Sequence, residues 1–444
     1  MALRIKSADR FVVNVPLTPR CEEWNALMVY NWRILEIIRV ELEGGIVGWG
    51  ESIPVYTWTK TTDEALLAVP GMNPVEFMGD DSIGAGLQMA LYDAVGKALE
   101  IPAHRLFPLP KIRDWCPLGW WNTKMPPEAL AEEAKEAVSK GYTAHKIKTR
   151  PWLDCYAQTE AISAVTPEHY RIDMDWNDML LHVGIATPIL QELEKHPKVA
   201  LFEGPLPQRD IEGYRHLRGK IAKPIVAHIG VPAFPVAVRS EMCDGFVFSE
   251  CGAGIAMTNG ALCAAFEKPF WLQAVGAGLT TAWVAQLGAV LSHARWPAIT
   301  CMNNYADDLL SEPLRIEDGY VQVPTAPGLG VTFNTDTLSR YAMQPPYLHP
   351  ERRHIITVEW PSGRRLHYAT MVNRQGNHAT KSPFSHAANA TTLDTHRQMW
   401  EDFLMGNHPI EPRGAQMTVQ KDDGSSEWAD LYARTQKGPV WSGR

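Results

Sequence analysis

The chain has 444 residues, room for about three domains at roughly 150 residues each, or for fewer if one is an α/β barrel of about 250. Apolar residues at 45% and charged residues at 21% are an ordinary globular balance, which excludes a disordered chain, a collagen or a coiled coil. The formal net charge of −8 argues against nonspecific nucleic-acid binding, and no apolar run approaches the roughly 18 residues of a membrane span.

The opening MALRIKSADRFVVNVPL has no continuous apolar core and no small-residue cleavage site, so no secretory signal is expected and a cytoplasmic location is. The seven cysteines (Cys21, Cys116, Cys155, Cys243, Cys251, Cys263, Cys301) are odd in number and never spaced C-x-x-C. Free buried thiols fit that pattern better than disulfides or a zinc site. Tryptophan is unusually frequent, 16 against 12 phenylalanines.

Arg4–Val15 and Leu35–Leu42 are rich in Val and Ile and read as strands, and Glu43-Gly44-Gly45 as a hairpin turn into Ile46–Trp49. Ile83, Leu87, Ala90, Leu91, Ala94 and Ala98 recur at helical spacing. Pro102 and the Phe107–Pro110 stretch close this α+β unit. From Trp115 onward short apolar runs alternate with helical patterns. Strands are predicted near Pro117, Thr143, Tyr170, Val199, Pro224, Gly245, Phe270 and Ala298, with one intervening helix opening at Pro127-Glu128 and stopped by Gly141. Repeats of roughly 20–30 residues are the size of one strand–helix unit. They fit a closed barrel, and a doubly wound open sheet is the competing arrangement. Beyond 345, Ile355–Trp360 and Arg365–Thr370 flank Pro361-Ser362-Gly363 as a hairpin. Leu393, Met399, Trp400, Phe403 and Leu404 mark an amphipathic helix, and an irregular polar tail follows Pro409.

In a barrel, chemistry sits where strands end at the C-terminal face. Those ends carry Lys146 and Lys148, then Asp173, Glu203 and His228, and the steps from Lys148 are 25, 30 and 25 residues. Lysines two apart on a strand share a face, and each ammonium lowers the pKa of the other, which suits a general base. Asp173 and Glu203 offer hard oxygen ligands suited to Mg²⁺. Taken singly, each residue also has a structural reading: a solvated K-x-K face, a helix-capping Asp, a loop-satisfying Glu, a hydrogen-bonded core His.

Several segments together resemble the enolase superfamily, in its mandelate racemase/muconate lactonizing branch, from about residue 3 to 345. Gly45-Ile46-Val47-Gly48-Trp49-Gly50-Glu51 resembles the capping-domain hairpin of that branch, and Ala90-Leu91-Tyr92-Asp93-Ala94-Val95-Gly96-Lys97 its capping helix. His145-Lys146-Ile147-Lys148, Arg171-Ile172-Asp173 and Phe202-Glu203-Gly204-Pro205-Leu206-Pro207 resemble its base and first two metal-ligand strands. Asp318-Gly319 through Val323-Pro324, with Pro327-Gly328-Leu329-Gly330, resembles the segment returning to the capping domain.

The resemblance implies an α/β fold: a (β/α)7–8 TIM-like barrel (115–315), an α+β capping domain (1–114, completed by about 316–345) and an added C-terminal extension (346–444). It implies that Lys148 removes the proton α to a substrate carboxylate, that Lys146 tunes it, and that Mg²⁺ on Asp173 and Glu203 stabilises the enediolate. It also implies a homo-oligomer and a small carboxylate substrate, with neither nucleic acid nor membrane as partner. The sequence departs from the pattern at four places. His228 stands where the third carboxylate ligand belongs, and imidazole favours a transition metal. Gln273 replaces the racemase-type His, the sixth strand offers Glu250 and no clear Asp, and Asn303-Asn304 replaces the eighth-strand Glu. Single-base elimination is therefore expected, with a sugar-acid dehydratase as the favoured case. The alternatives are a cycloisomerase using a metal other than Mg²⁺ through His228, and a catalytically degenerate ligand-binding barrel. Trp24, Tyr56, Trp58, Trp120, Trp121, Gln273 and Asn303 are the candidate substrate contacts.

Overall fold

The computed structural model describes residues 3–28, 30–54, 58, 60–345, 353–369, 412–437 and 440–443. Strands β1 (Ile5–Asn14), β2 (Ile34–Leu42) and β3 (Val47–Ser52) form an antiparallel sheet, with helix α1 (Pro19–Met28) between the first two. The predicted turn is present, and Gly44 and Gly45 take positive φ, +111° and +85°, which side chains other than glycine rarely adopt. After α2 (Asp63–Ala68) comes helix α3 (Ala85–Ala98), lying on this sheet. A Cβ on Gly48 would stand 2.1 Å from the Ala90 carbonyl, and one on Gly50 2.1 Å from that of Gly86. The Gly-x-Gly alternation is what lets helix and sheet close. Asp93 joins three segments there, accepting hydrogen bonds from Trp49 N (2.9 Å) and Leu329 N (2.8 Å) and pairing with Lys97 (2.6 Å).

The barrel follows as strand–helix units. In chain order these are β4 (Trp115–Pro117), β5 (Trp120–Asn122), α4 (Pro127–Ser139), β6 (Ala144–Lys148), α5 (Cys155–Val165), β7 (Arg171–Asp175), α6 (Val183–Leu193) and β8 (Val199–Glu203). Then come α7 (Ile211–Arg218), β9 (Ile225–His228), α8 (Phe234–Arg239), β10 (Gly245–Phe248), α9 (Ala253–Ala265), β11 (Phe270–Leu272) and α10 (Gly278–Gly288). Strands β5 to β11 form one seven-stranded sheet in sequence order, every pair parallel. Two predicted strands differ. The run near Pro117 splits, because β4 leaves the barrel to pair with β13 of the return segment (β12, Ile316–Glu317; β13, Tyr320–Gln322; then α11, Asp336–Arg340). The run at Ala298 makes only single bridges, Leu118 with Ala298 and Gln273 with Ile299, and these join the two edges of the sheet. The open-sheet alternative is thereby set aside.

Past residue 345 the hairpin is as predicted: β14 (His354–Glu359) pairs with β15 (Arg365–Ala369). The stretch after Pro409 is not irregular throughout. It supplies β16 (Gln416–Lys421), helix α12 (Ser426–Thr435) and β17 (Val440–Ser442), completing a sheet ordered β16-β14-β15-β17. Ile355 and Ala369 face α12 through Trp428 and Tyr432, while Ile356, Val358, Leu366 and Tyr368 face the barrel loops at Trp152, Leu153 and Met179. That is strict period-two alternation. The amphipathic helix expected at 393–404 lies outside the described residues. No helix among them is long and apolar enough to cross a membrane.

Candidate active site

Register decides which side chains enter the barrel. Lys146 pairs with Asp173 and Lys148 with Asp175, while Trp121 pairs with Lys146 on the other side. In-register neighbours on a sheet point the same way, so Trp121, both lysines, both aspartates and Glu203 (paired with Asp175) share the inner face. His145 and Ile147 point outward. His145 Nε2 meets Asn122 Oδ1 at 2.7 Å, and burial pushes its pKa down to about 3.

Two lysine amino groups meet a ring of carboxylates. Lys148 donates to Asp175 Oδ2; Lys146 contacts Glu203 Oε2, lies 3.3 Å from Asp175 Oδ2 and donates to Gln273 Oε1 at 2.6 Å. The Lys146 ammonium also sits 5.2 Å over the Trp271 ring. Lys146 is 1% exposed and Lys148 8%. Burial lowers the Lys148 pKa, with the Lys146 and Arg150 charges adding to the fall and Asp175 and Glu203 opposing it. Burial raises Asp175, but the charges of Lys148 and Lys146 outweigh it and hold this carboxyl well below the usual range. Among the described residues Asp173 has no such close cationic partner. Burial pushes it up to about 7, with Glu203 adding and Lys146 opposing.

His228 Nε2 lies 3.1 Å from Glu203 Oε1, and its Nδ1 lies 2.6 Å from Ser249 Oγ, which fixes the ring. Asp173, Glu203 and His228 were the expected metal ligands. Carboxylate and imidazole donors suit a divalent cation in kind, but as placed they do not fit a Mg²⁺ cage. Among the described residues no group of three or more His, Cys, Asp or Glu side chains is arranged to hold a metal ion. The Lys146 ammonium already supplies the positive charge beside Glu203.

The aromatic candidates divide. Trp120 points out of the barrel, away from the lysines, its Nε1 donating to Asn122 Oδ1 (3.1 Å) and Glu133 Oε2 (3.0 Å). Trp121 points inward and packs on Trp32 of the capping domain, ring centroids 5.2 Å apart. Asn303 exchanges two hydrogen bonds with the Trp121 backbone, at 3.2 and 2.8 Å, and so fixes that strand. Trp58 stacks on Trp283 at 6.3 Å, and Trp24 is half-buried between the barrel and the extension. Tyr56 lies outside the described residues. Glu250 is exposed at the end of β10. Sequence reasoning overlooked Asp175 and Arg150. Asp175 was legible in Asp173-Met174-Asp175, the same period-two pattern as Lys146-Ile147-Lys148 on the adjoining strand.

Paired lysines and carboxylates thus stand at the strand ends of a closed parallel barrel under an α+β cap, the face on which barrel enzymes carry their chemistry. Residues 129–337 match the family described as "Enolase C-terminal domain-like". D-gluconate dehydratase of Thermoproteus tenax is 26% identical over 358 residues, 70% of each chain. Muconate cycloisomerase 1 of Rhodococcus opacus is 24% identical, covering 76% of this chain and 98% of its own. A mandelate racemase/muconate lactonizing family protein from Azoarcus sp. EbN1 shares the fold with a TM-score of 0.63 at 21% identity, over 77% of this chain and 98% of that one. Residues 129–337 are enolase C-terminal domain-like, and the chain is an enzyme similar to members of the enolase superfamily.

Proposed function

We propose that the protein is a lyase that removes the proton α to the carboxylate of a small hydroxy acid and expels a β-hydroxyl, most simply a sugar-acid dehydratase. One observation carries the reading: Lys146 and Lys148 share the inner face of β6, and only Lys148 keeps some exposure. Its lowered pKa favours the neutral amine that a base requires, and Asp175 takes up the ammonium that forms. Lys146 is too buried to touch substrate and acts through its charge, held by Gln273 and Glu203. His228, its side chain 35% exposed and its ring fixed by Ser249, is assigned as proton donor to the leaving hydroxyl. Among the described residues Gln273, which cannot accept a proton as a base, stands where the racemase-type His would, and this disfavours racemisation. Mg²⁺, which the resemblance implies, would draw on Asp173, Glu203 and His228 only after Lys146 leaves Glu203, so no step is assigned to it. Incubation with a panel of aldonic acids, with products followed by NMR, should give a 2-keto-3-deoxy acid. Lactone products from unsaturated diacids, with no dehydration, would instead establish a cycloisomerase.

A further inference from the structure

The four-stranded sheet of the extension lies beyond the enolase-like segment, yet it rests on the loops leaving the two strands that carry Lys148 and Asp175. Trp152, fully buried, and Leu153 from the first loop and Met179 from the second form one cluster with Ile356, Val358 and Leu366 of the sheet. The contact is polar as well: Gly414 N donates to Asp154 Oδ2, and Arg413 lies 4.2 Å over the Tyr156 ring. Trp24 of the capping domain joins the same cluster, and Lys421 pairs with Glu23 at 3.6 Å. The sheet therefore touches capping domain and barrel at the mouth of the site.

Two residues before Trp152, the buried Arg150 ties the ends of β6 and β7 together. Its Nη1 donates to the carbonyls of Thr149 (2.6 Å) and Asp175 (3.3 Å), and its Nη2 to Asn177 Oδ1 (2.7 Å). Asn177 N in turn donates to Asp175 Oδ1 at 2.9 Å, leaving Oδ2 for Lys148. The carboxylate that receives the lysine is thus oriented from a loop whose next residues are trapped under the extension.

We propose that the extension is a working part of the active site: its sheet pins the loop after β6 so that Arg150, a positioning residue, holds Asp175 and with it Lys148 in the geometry for proton transfer. The functional half of this statement rests on Lys148 being the base, whereas the positional half does not, and one experiment separates them. Full-length wild type, Arg150→Lys, Arg150→Met and Leu366→Ala are labelled with trace fluorodinitrobenzene, and Lys148 is quantified by mass spectrometry relative to the exposed Lys195. The expected result is slow labelling in wild type, at least about tenfold faster labelling in Arg150→Met and Leu366→Ala, and partial restoration in Arg150→Lys. Lys148 labelling at the wild-type rate in Arg150→Met overturns the proposal, whether or not Leu366→Ala folds. Labelling that responds while wild type shows no α-proton exchange on any acid would count against the base assignment and leave the positioning intact.

Discussion

Replacing Glu51 by Gln should remove part of the pH dependence of stability. Glu51 lies at the end of β3, fully buried, and its Oε1 accepts a hydrogen bond from Thr280 N at 3.0 Å in the first turn of α10. A Cβ on Gly276 would lie 2.7 Å from that oxygen, so capping domain and barrel meet there without spare room. Burial pushes the Glu51 carboxyl up from 4.5 to about 7; amide hydrogen bonds from Thr280 and Ala277 oppose the rise and Asp308 adds to it. With the folded pKa raised, the unfolded chain ionises first as the pH climbs. The stabilising contribution is complete below about pH 4.5 and is lost on the way to about pH 7. The difference, 7 minus 4.5, corresponds to about 3 kcal/mol at roughly 1.4 kcal/mol per pH unit. Urea unfolding of wild type and Glu51→Gln between about pH 4 and about pH 8 isolates this group, because every other titration is common to both. Wild type should lose about 3 kcal/mol more than the variant over that range. Parallel pH profiles would refute the reasoning.

Trp120→Phe should cost about 1–2 kcal/mol of stability through the lost hydrogen bond to Glu133 and leave kcat/KM unchanged. A tenfold fall in kcat/KM would contradict its outward placement. His228→Gln should lower the dehydration rate by about 10²-fold or more, since it removes the proton donor whose ring Ser249 fixes; an unchanged rate would remove His228 from that role. All seven cysteines are free and buried, and burial pushes the thiols of Cys21, Cys116, Cys243, Cys251 and Cys263 up to about 12. Native protein should therefore not react with a disulfide reagent over minutes, and rapid stoichiometric reaction would contradict that burial.

The elements legible in the sequence are those whose local chemistry and long-range role agree. The Gly44-Gly45 turn, the Gly-x-Gly strand under α3 and the K-x-K strand each state their geometry within a few residues. What escaped depends on partners distant in sequence. Trp115–Pro117 and Trp120–Asn122 look alike as apolar runs, but only the return segment at Tyr320–Gln322 draws the first away from the barrel. The strand after Pro409 is polar on its exposed face, and pairing with β14 is what makes it a strand. Trp120 and Trp121 are adjacent, so a placement without register cannot say which faces the site. Strand-end spacing and the family resemblance both point to Asp173 and Glu203 as metal ligands, and neither shows that Lys146 reaches Glu203.

The central claim is that Lys148 abstracts the α-proton. Its most direct test is the incorporation of α-deuterium into a turned-over acid in D₂O, comparing wild type with Lys148→Ala at equal folded concentration. The account predicts exchange in wild type and a fall of about 10²–10⁴-fold in the variant. Exchange at the wild-type rate in Lys148→Ala would contradict it.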